Sequence, residues 1–302
     1  MGFAAPVSGT WATAANLARV AVRAEQLGYH SLWTFQRLLS DSSFAPQYRS
    51  VLDPVATMGY LAALTSRIRV GVAVLNIPFA SPALVAKQLA TLDVLTGGRL
   101  EIGLGNGWSE LEFTASGVSP DRRGARAEEF LTVLTRLFSE PVVDHEGTFY
   151  RVAGGTSAPG PVQRPYPPIL LGGSAPAALR RAGRRAAGWV SSSRADLGTI
   201  AAAVATVRAA AERAGRDPDG LRMVCRGAVR LREGLSGPDR PYLTGTVAQV
   251  VEDVARLGEA GVTEFFVDLN FDPEVGSPDA DPVAAMDRAE RALDGFAGLT
   301  AG

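Results

Sequence analysis

Short apolar runs alternate with segments of helical periodicity along the whole chain. In the first helical segment, the apolar residues Leu17, Val20, Ala21, Ala24 and Leu27 recur every three or four positions, which places them on one helix face. The apolar runs have the length and the flanking turn residues of buried strands. Eight of them are predicted to be strands, at residues 2–7, 31–35, 68–75, 100–104, 169–171, 189–191, 221–231 and 264–267.

Signals for the start and the end of a helix follow these runs. Asp53-Pro54, Ser81-Pro82 and Asp281-Pro282 each combine a capping side chain with a proline suited to the first helical turn. Residues 246–249 have the spacing of a capping box, and glycines at 28, 97 and 261 indicate helix ends. Further helices are expected at about 123–138, from about 175, and at 195–214.

This strict alternation predicts an α/β fold in which a parallel sheet is covered by helices. Eight units in 302 residues favour a closed (β/α)8 TIM barrel with insertions over an open doubly wound sheet, which is kept as the alternative. Two long connections, 105–120 and 141–167, interrupt the alternation, and the second is expected to be an ordered excursion over the barrel. No boundary divides the sequence, so we predict one domain over residues 1–302.

Composition and charge indicate which classes of binding partner are expected. The formal net charge of −1 gives no electrostatic reason to expect binding to nucleic acid or to an anionic membrane. No run approaches the roughly 20 apolar residues that a membrane helix needs, and residues 1–6 do not resemble a secretory signal. The single cysteine, Cys225, excludes an internal disulfide and favours a buried, inert thiol in a cytoplasmic protein.

In a barrel of this kind the active site gathers at the C-terminal ends of the strands. Amides, hydroxyls, glycines and arginines predominate there, at residues 6–9, 36–37, 76, 105–107, 172–174, 191–193, 230, 232 and 268–270. Neither histidine is well placed, because His30 begins a strand and His145 lies in the long insertion. We therefore expect no metal site and no Ser–His or Cys–His relay. Such a polar mouth suits an enzyme whose bound cofactor carries the chemistry.

Two glycine-rich segments are the candidate cofactor sites. Gly172-Gly173-Ser174 follows a strand and precedes a helix, where backbone amides can bind a phosphate, although a tight turn with a serine cap would have the same sequence. Glycines between Gly103 and Gly107 would let a flat ring lie against the backbone, with Asn106 at its edge. The alternative for that segment is a simple bend before a loop.

Taken in order, segments along nearly the whole chain resemble the luciferase-like monooxygenase family, and most closely its coenzyme F420-dependent branch. They are residues 25–33 (Glu-Gln-Leu-Gly-Tyr-His-Ser-Leu-Trp), 53–71, 87–93, 97–100, 103–108, 123–126 and 172–174. The resemblance implies a hydride-transferring oxidoreductase that uses the deazaflavin F420, with a small-molecule substrate and a homodimeric assembly.

The resemblance also implies roles for individual residues. A non-proline cis peptide behind the deazaflavin ring corresponds to Ala73-Val74, and a polar cofactor contact corresponds to Asn76. The strip beside the ring corresponds to Gly105, Asn106 and Gly107, and the phosphate loop to Gly172, Gly173 and Ser174.

One position departs from the pattern of the family. Many relatives end the second strand with an acid followed by histidine, whereas this chain has Gln36-Arg37. We take Gln36 and Arg37 as the candidate catalytic residues. Arginine stays protonated, so it can stabilise a developing negative charge but cannot move a proton at neutral pH. Reduction of an electron-poor C=C or C=N bond therefore fits better than acid–base oxidation of a sugar phosphate.

Three other functions are kept as alternatives. An FMN-dependent monooxygenase with a separate flavin reductase would use the same glycine segments. A barrel that has lost catalysis and serves as a subunit or binding protein is supported only by Gln36-Arg37. A sugar-phosphate isomerase or aldolase would need a lysine or glutamate at a strand end, and the only lysine, Lys87, lies in a predicted helix.

Overall fold

A computed structural model describes residues 1–235, 237 and 239–300, and it contains a closed barrel of eight parallel strands. The barrel strands are β1 (Gly2–Ala4), β2 (Ser31–Thr34), β3 (Arg69–Asn76), β4 (Leu100–Gly105), β5 (Ile169–Gly172), β6 (Gly188–Val190), β7 (Arg222–Ala228) and β8 (Glu264–Asp268). Each strand pairs with the next, and β8 closes the barrel by placing Phe266 opposite Gly2. The predicted TIM barrel is confirmed. The single domain and the homodimer stay predictions.

One helix of at least ten residues follows each strand and packs on the outside of the barrel. The barrel helices are α1 (Ala14–Gln26), α2 (Pro54–Leu64), α3 (Pro82–Thr96), α4 (Arg123–Ser139), α5 (Pro176–Arg185), α6 (Ile200–Arg213), α7 (Val247–Glu259) and α8 (Pro282–Phe296). Asp53, Ser81 and Asp281 cap α2, α3 and α8 through their side chains, as expected. The capping box of α7 is present, and α3 ends at Gly97 with a positive φ of 64°.

Three boundaries differ by three or more residues from those expected. Strand β1 ends at Ala4 and not at Val7. Strand β7 ends at Ala228, and Arg230–Leu231 belongs instead to a separate two-stranded sheet with Thr244–Gly245. Helix α6 begins at Ile200 and not near residue 195, because the Asp196 side chain caps a 3-10 turn at Leu197–Thr199. The run 221–231 and the alanine-rich segment 195–214 conceal such interruptions, since neither contains a proline.

The C-terminal and N-terminal ends of the barrel have different interiors. At the N-terminal end, Glu101 is almost fully buried and pairs with both Arg69 and Arg222, and Arg222 also pairs with Glu264. Above this layer the Trp33 ring stacks on Phe266 with centroids 5.2 Å apart. These layers fill the lower part of the barrel, and a cavity opens at its C-terminal end.

Cys225 faces the helices and not the barrel interior. It is fully buried, and burial raises the pKa of its thiol to about 12, so the thiol stays protonated. The predicted burial of this thiol is confirmed, and its inertness stays a prediction. Within the described ranges, no helix is long and apolar enough to cross a membrane.

The excursion at residues 141–167 contains an antiparallel hairpin of Val143–Glu146 and Arg151–Gly155, held to α4 by Glu129. The Glu129 carboxylate accepts hydrogen bonds from the backbone N–H groups of Thr148, Phe149 and Tyr150, and its Oε1 lies 3.2 Å from His145 Nε2. Burial by itself would raise the pKa of Glu129, but these hydrogen bonds outweigh it and hold the pKa below its usual value.

Glu129→Gln is expected to lower the free energy of unfolding at pH 7 by about 1–2 kcal/mol, because a charged acceptor of backbone N–H groups becomes neutral. The folded-state pKa is lowered, so this stabilisation is complete above the unfolded-state pKa and is lost as pH falls through the folded-state pKa. Urea unfolding at several pH values should show the difference between the two proteins shrinking as the solution is acidified below the pKa of an unfolded glutamate. Glu146→Gln on the exposed face of the same hairpin is the control, and a pH-independent difference would contradict this account.

Candidate active site at the barrel mouth

A cavity of about 440 Å³ opens at the C-terminal ends of the barrel strands. All eleven site residues named from the sequence line it: Gln36, Arg37, Ala73, Val74, Asn76, Gly105, Asn106, Gly107, Gly172, Gly173 and Ser174. The structure therefore brings together segments from β2, β3, β4 and β5. The role of each residue stays a prediction.

The end of β3 forms one wall of the cavity. The peptide bond between Ala73 and Val74 is cis, as the resemblance implied, and the β3–β4 register shifts between Val72 and Leu75. A Cβ atom at Gly105 would lie 2.5 Å from Val74 Cγ2. Gly105 is thus required to make room for the Val74 side chain, a reason that differs from the flat-ring contact inferred from the sequence.

A chain of amide hydrogen bonds ties the ends of β2, β3 and β4 together. Gln36 Oε1 accepts hydrogen bonds from Asn76 N at 2.8 Å and from Asn76 Nδ2 at 3.2 Å. Asn76 Oδ1 in turn accepts a hydrogen bond from Gly107 N at 3.1 Å. Asn76 therefore positions the three strand ends, while the amide nitrogen of Gln36 has no hydrogen-bond acceptor among the described residues.

The loop after β5 leads into the start of α5 without a side-chain cap. The N-cap residue is Ala175, so the Ser174 hydroxyl does not cap the helix, and the serine-cap alternative is wrong. Gly173 has a φ of 123°, and its carbonyl accepts a hydrogen bond from Trp189 Nε1 at 2.9 Å. Because Ala177 and Ala178 also line the cavity, the first turn of α5 borders the space where an anion would bind.

Sequence reasoning missed Arg226, which lies on the cavity floor. Its Nε donates to Asp268 Oδ2 at 2.7 Å, and its Nη1 donates to the Ala73 carbonyl of the cis peptide at 2.8 Å. The rings of Phe35 and Phe271 lie 4.7 and 4.4 Å from its guanidinium carbon. Successive side chains of a strand point to opposite faces of the sheet, so every second residue of β7 faces the barrel interior. This alternation could have indicated Arg226.

The sequence analysis expected Arg230 and Arg232 at the C-terminal end of β7, and this expectation is wrong. Arg230 and Arg232 do not line the cavity, because β7 ends before them. Arg232 pairs instead with Asp272 and Glu274.

Arg37 lies at the other side of the mouth, in a largely apolar setting. Its Nη2 donates to Glu112 Oε2 at 2.6 Å, and Glu112 is fully buried. The guanidinium carbon lies 5.6, 5.4 and 4.6 Å from the ring centroids of Phe44, Tyr48 and Trp108. Burial lowers the pKa of Arg37, although Glu112 opposes this shift.

Glu112 was also missed from the sequence. It lies on a short helix, Glu110–Ala115, within the first long connection, and Ser109 caps that helix by accepting a hydrogen bond from Glu112 N. The Ser-x-x-Glu spacing could have indicated the helix. This spacing carries no information about the ion pair between Glu112 and Arg37, because the two residues lie 75 positions apart in the sequence.

The charges around the cavity are strongly asymmetric. Four arginines, at positions 37, 123, 181 and 226, are among its described lining residues, and no aspartate or glutamate is. The carboxylates that pair with three of these arginines, Glu112, Glu128 and Asp268, lie behind them. This arrangement favours anionic ligands.

A sequence model described as luciferase-like monooxygenase matches residues 2–236 of the chain. The chain belongs to the luciferase-like monooxygenase family. An uncharacterized protein of Mycobacterium tuberculosis is 34% identical to it over 226 residues, which cover 74% of this chain and 69% of that protein.

Two further comparisons involve different cofactors. The FMNH2-dependent dimethylsulfone monooxygenase of Pseudomonas putida is 39% identical to this family member over 155 residues, which cover 50% of this chain and 42% of that enzyme. An F420-dependent secondary alcohol dehydrogenase, solved with an F420–acetone adduct, superposes with a TM-score of 0.79 and 18% identity, covering 99% of this chain and 97% of that one. The similarity to the dehydrogenase structure shows that the two proteins share a fold.

Proposed function

We propose that this luciferase-like protein is an oxidoreductase that binds coenzyme F420 in the mouth cavity and exchanges a hydride with a small organic substrate. One observation carries the proposal. The same cavity is bordered by an uncapped helix start after Gly172-Gly173-Ser174 and by the Ala73–Val74 wall. These two features fit the phosphate and the flat ring of one cofactor.

The lining residues determine what the protein itself can contribute. When bound, a deazaflavin supplies the hydride donor or acceptor. Gln36 offers amide hydrogens, and the guanidinium groups of Arg37 and Arg226 remain charged and can stabilise negative charge on a substrate. Among the described lining residues there is no His, Cys, Lys, Asp or Glu. Water or a polar side chain such as Tyr48, which also lines the cavity, is therefore the proton source that we expect. This favours an already polarised C=C or C=N bond as the reacting group.

An FMN-dependent monooxygenase is the second candidate function. The similarity to the dimethylsulfone monooxygenase of P. putida over half of this chain supports it. Reduced FMN carries one phosphate and a tricyclic ring, so the same two features of the cavity would fit it. A separate reductase would then have to supply the reduced flavin.

Parallel titrations of the purified protein with F420 and with FMN test the proposal. We expect F420 to bind in the micromolar range with quenching of its fluorescence, and FMN to bind more weakly. Tight FMN binding without F420 binding, together with oxygen uptake on addition of reduced FMN, would support the monooxygenase instead. Binding of neither cofactor would contradict both candidates.

A further inference from the structure

Arg37 has more hydrogen-bond donors than the protein satisfies. Its side chain is only 4% exposed, and Nη2 bonds to Glu112. Its Nε and Nη1 are buried and have no hydrogen-bond partner among the described residues. A buried guanidinium nitrogen without an acceptor is unfavourable, so an acceptor supplied by a ligand would be stabilised here.

A second arginine lies on the same aromatic rings. The guanidinium carbon of Arg194 is 5.4 Å from the centroid of Tyr48 and 4.8 Å from that of Trp108. Arg194 forms no ion pair within the described part of the chain. Glu112 is the single carboxylate paired with either arginine, and its other oxygen accepts a hydrogen bond from Leu38 N. The cluster therefore has an excess positive charge.

One side of this cluster is more exposed to solvent than the rest. Phe44 and Tyr48 are buried, with 9% and 7% of their surface exposed, whereas Trp108 is 49% exposed. Trp108 also makes the closest ring contact to Arg37, at 4.6 Å. Rotation of the Trp108 side chain alone would thus give a ligand in the cavity access to Arg37.

We propose that the substrate carries an oxyanion, a carboxylate or a sulfonate, which binds to Arg37 with Arg194 adding to the attraction. This inference depends on the proposed function in one respect, because it takes the bound molecule to be the substrate of the proposed oxidoreductase. A charged oxygen accepts hydrogen bonds from a buried guanidinium much more strongly than a neutral one does. The aromatic rings beside Arg37 favour an unsaturated carbon skeleton next to the anionic group.

Three probes of nearly the same shape test the proposal: trans-cinnamate, β-styrenesulfonate and the neutral cinnamamide. Binding to the full-length protein is measured by calorimetry and by tryptophan emission, because Trp108 is exposed while Trp11, Trp33 and Trp189 are buried. We expect at least one anion to bind with a Kd about tenfold or more below that of cinnamamide. Preference for one anion over the other identifies the oxyanion.

Two variants distinguish anion binding at Arg37 from attraction of the anion by the overall charge of the protein. The double variant Arg37→Met with Glu112→Gln removes one charge of each sign and leaves no unpaired buried carboxylate, and its melting temperature verifies folding. We expect it to lose the preference for the anion. Arg19→Met removes an arginine from the exposed face of α1 and should keep that preference.

Equal binding of cinnamamide and the anions, no binding of either anion at about 10 mM, or an anion preference that survives in the double variant would overturn the proposal. F420 binding is measured on the same samples. Retained F420 binding without anion preference would refute only this inference, and anion preference without F420 binding would refute only the proposed cofactor.

Discussion

Gly173→Ala is expected to weaken F420 binding by about 10- to 100-fold while the barrel stays folded. The φ of 123° at this residue is one that L-residues rarely adopt, and a Cβ atom would lie 2.8 Å from Ala178 Cβ in the first turn of α5. The loop would have to move away from the helix start. The backbone N–H groups that we propose to bind the phosphate would then lose their alignment.

Gly154→Ala is the matched control for this variant. Gly154 also has a positive φ, of 62°, but it lies in the hairpin outside the cavity, and a Cβ atom there would meet nothing within 4 Å. Its F420 affinity should equal that of the wild type in the same fluorescence titration. Unchanged affinity in a folded Gly173→Ala protein would show that the phosphate does not bind at this loop.

Arg226→Met is expected to lower the free energy of unfolding by about 3–5 kcal/mol, because it leaves the fully buried Asp268 carboxylate without its cation. The double variant Arg226→Met with Asp268→Asn should recover most of this loss, since no buried charge is then left unpaired. Asn270 N and Nδ2 would still have an oxygen acceptor at position 268.

Urea unfolding of the single and double variants measures both effects. Arg23→Met, which breaks an exposed ion pair with Asp294, serves as the control and should cost less than about 1 kcal/mol. A small loss in Arg226→Met, or a double variant no more stable than the single one, would contradict the assignment of a buried pair at the cavity floor.

The fold could be predicted from the sequence because its signals are local. Capping residues such as Asp53 and Thr246 act within a single helical turn, and most residues of the buried strands are apolar. Nine of the eleven predicted site residues lie at strand ends that follow once the order of strands and helices is known. Ala73 and Val74 were predicted only from the resemblance to the family.

Features that depend on contacts between distant segments could not be predicted in this way. Nothing near Arg37 in the sequence indicates Glu112 as its partner, and nothing near Gly105 indicates that Val74 fills the space beside it. Arg226 was missed for a different reason. The apolar run 221–231 gives no sign that β7 ends at Ala228, so the arginines beyond that point were placed at the mouth instead.

A crystal structure of the protein with F420 is the most direct test of the central claim, that one cavity at the barrel mouth holds the phosphate and the ring of this cofactor. We expect the phosphate within hydrogen-bonding distance of the backbone at residues 172–174 and the first turn of α5, with the ring against Ala73–Val74. Density for F420 with its phosphate elsewhere on the barrel would contradict the account.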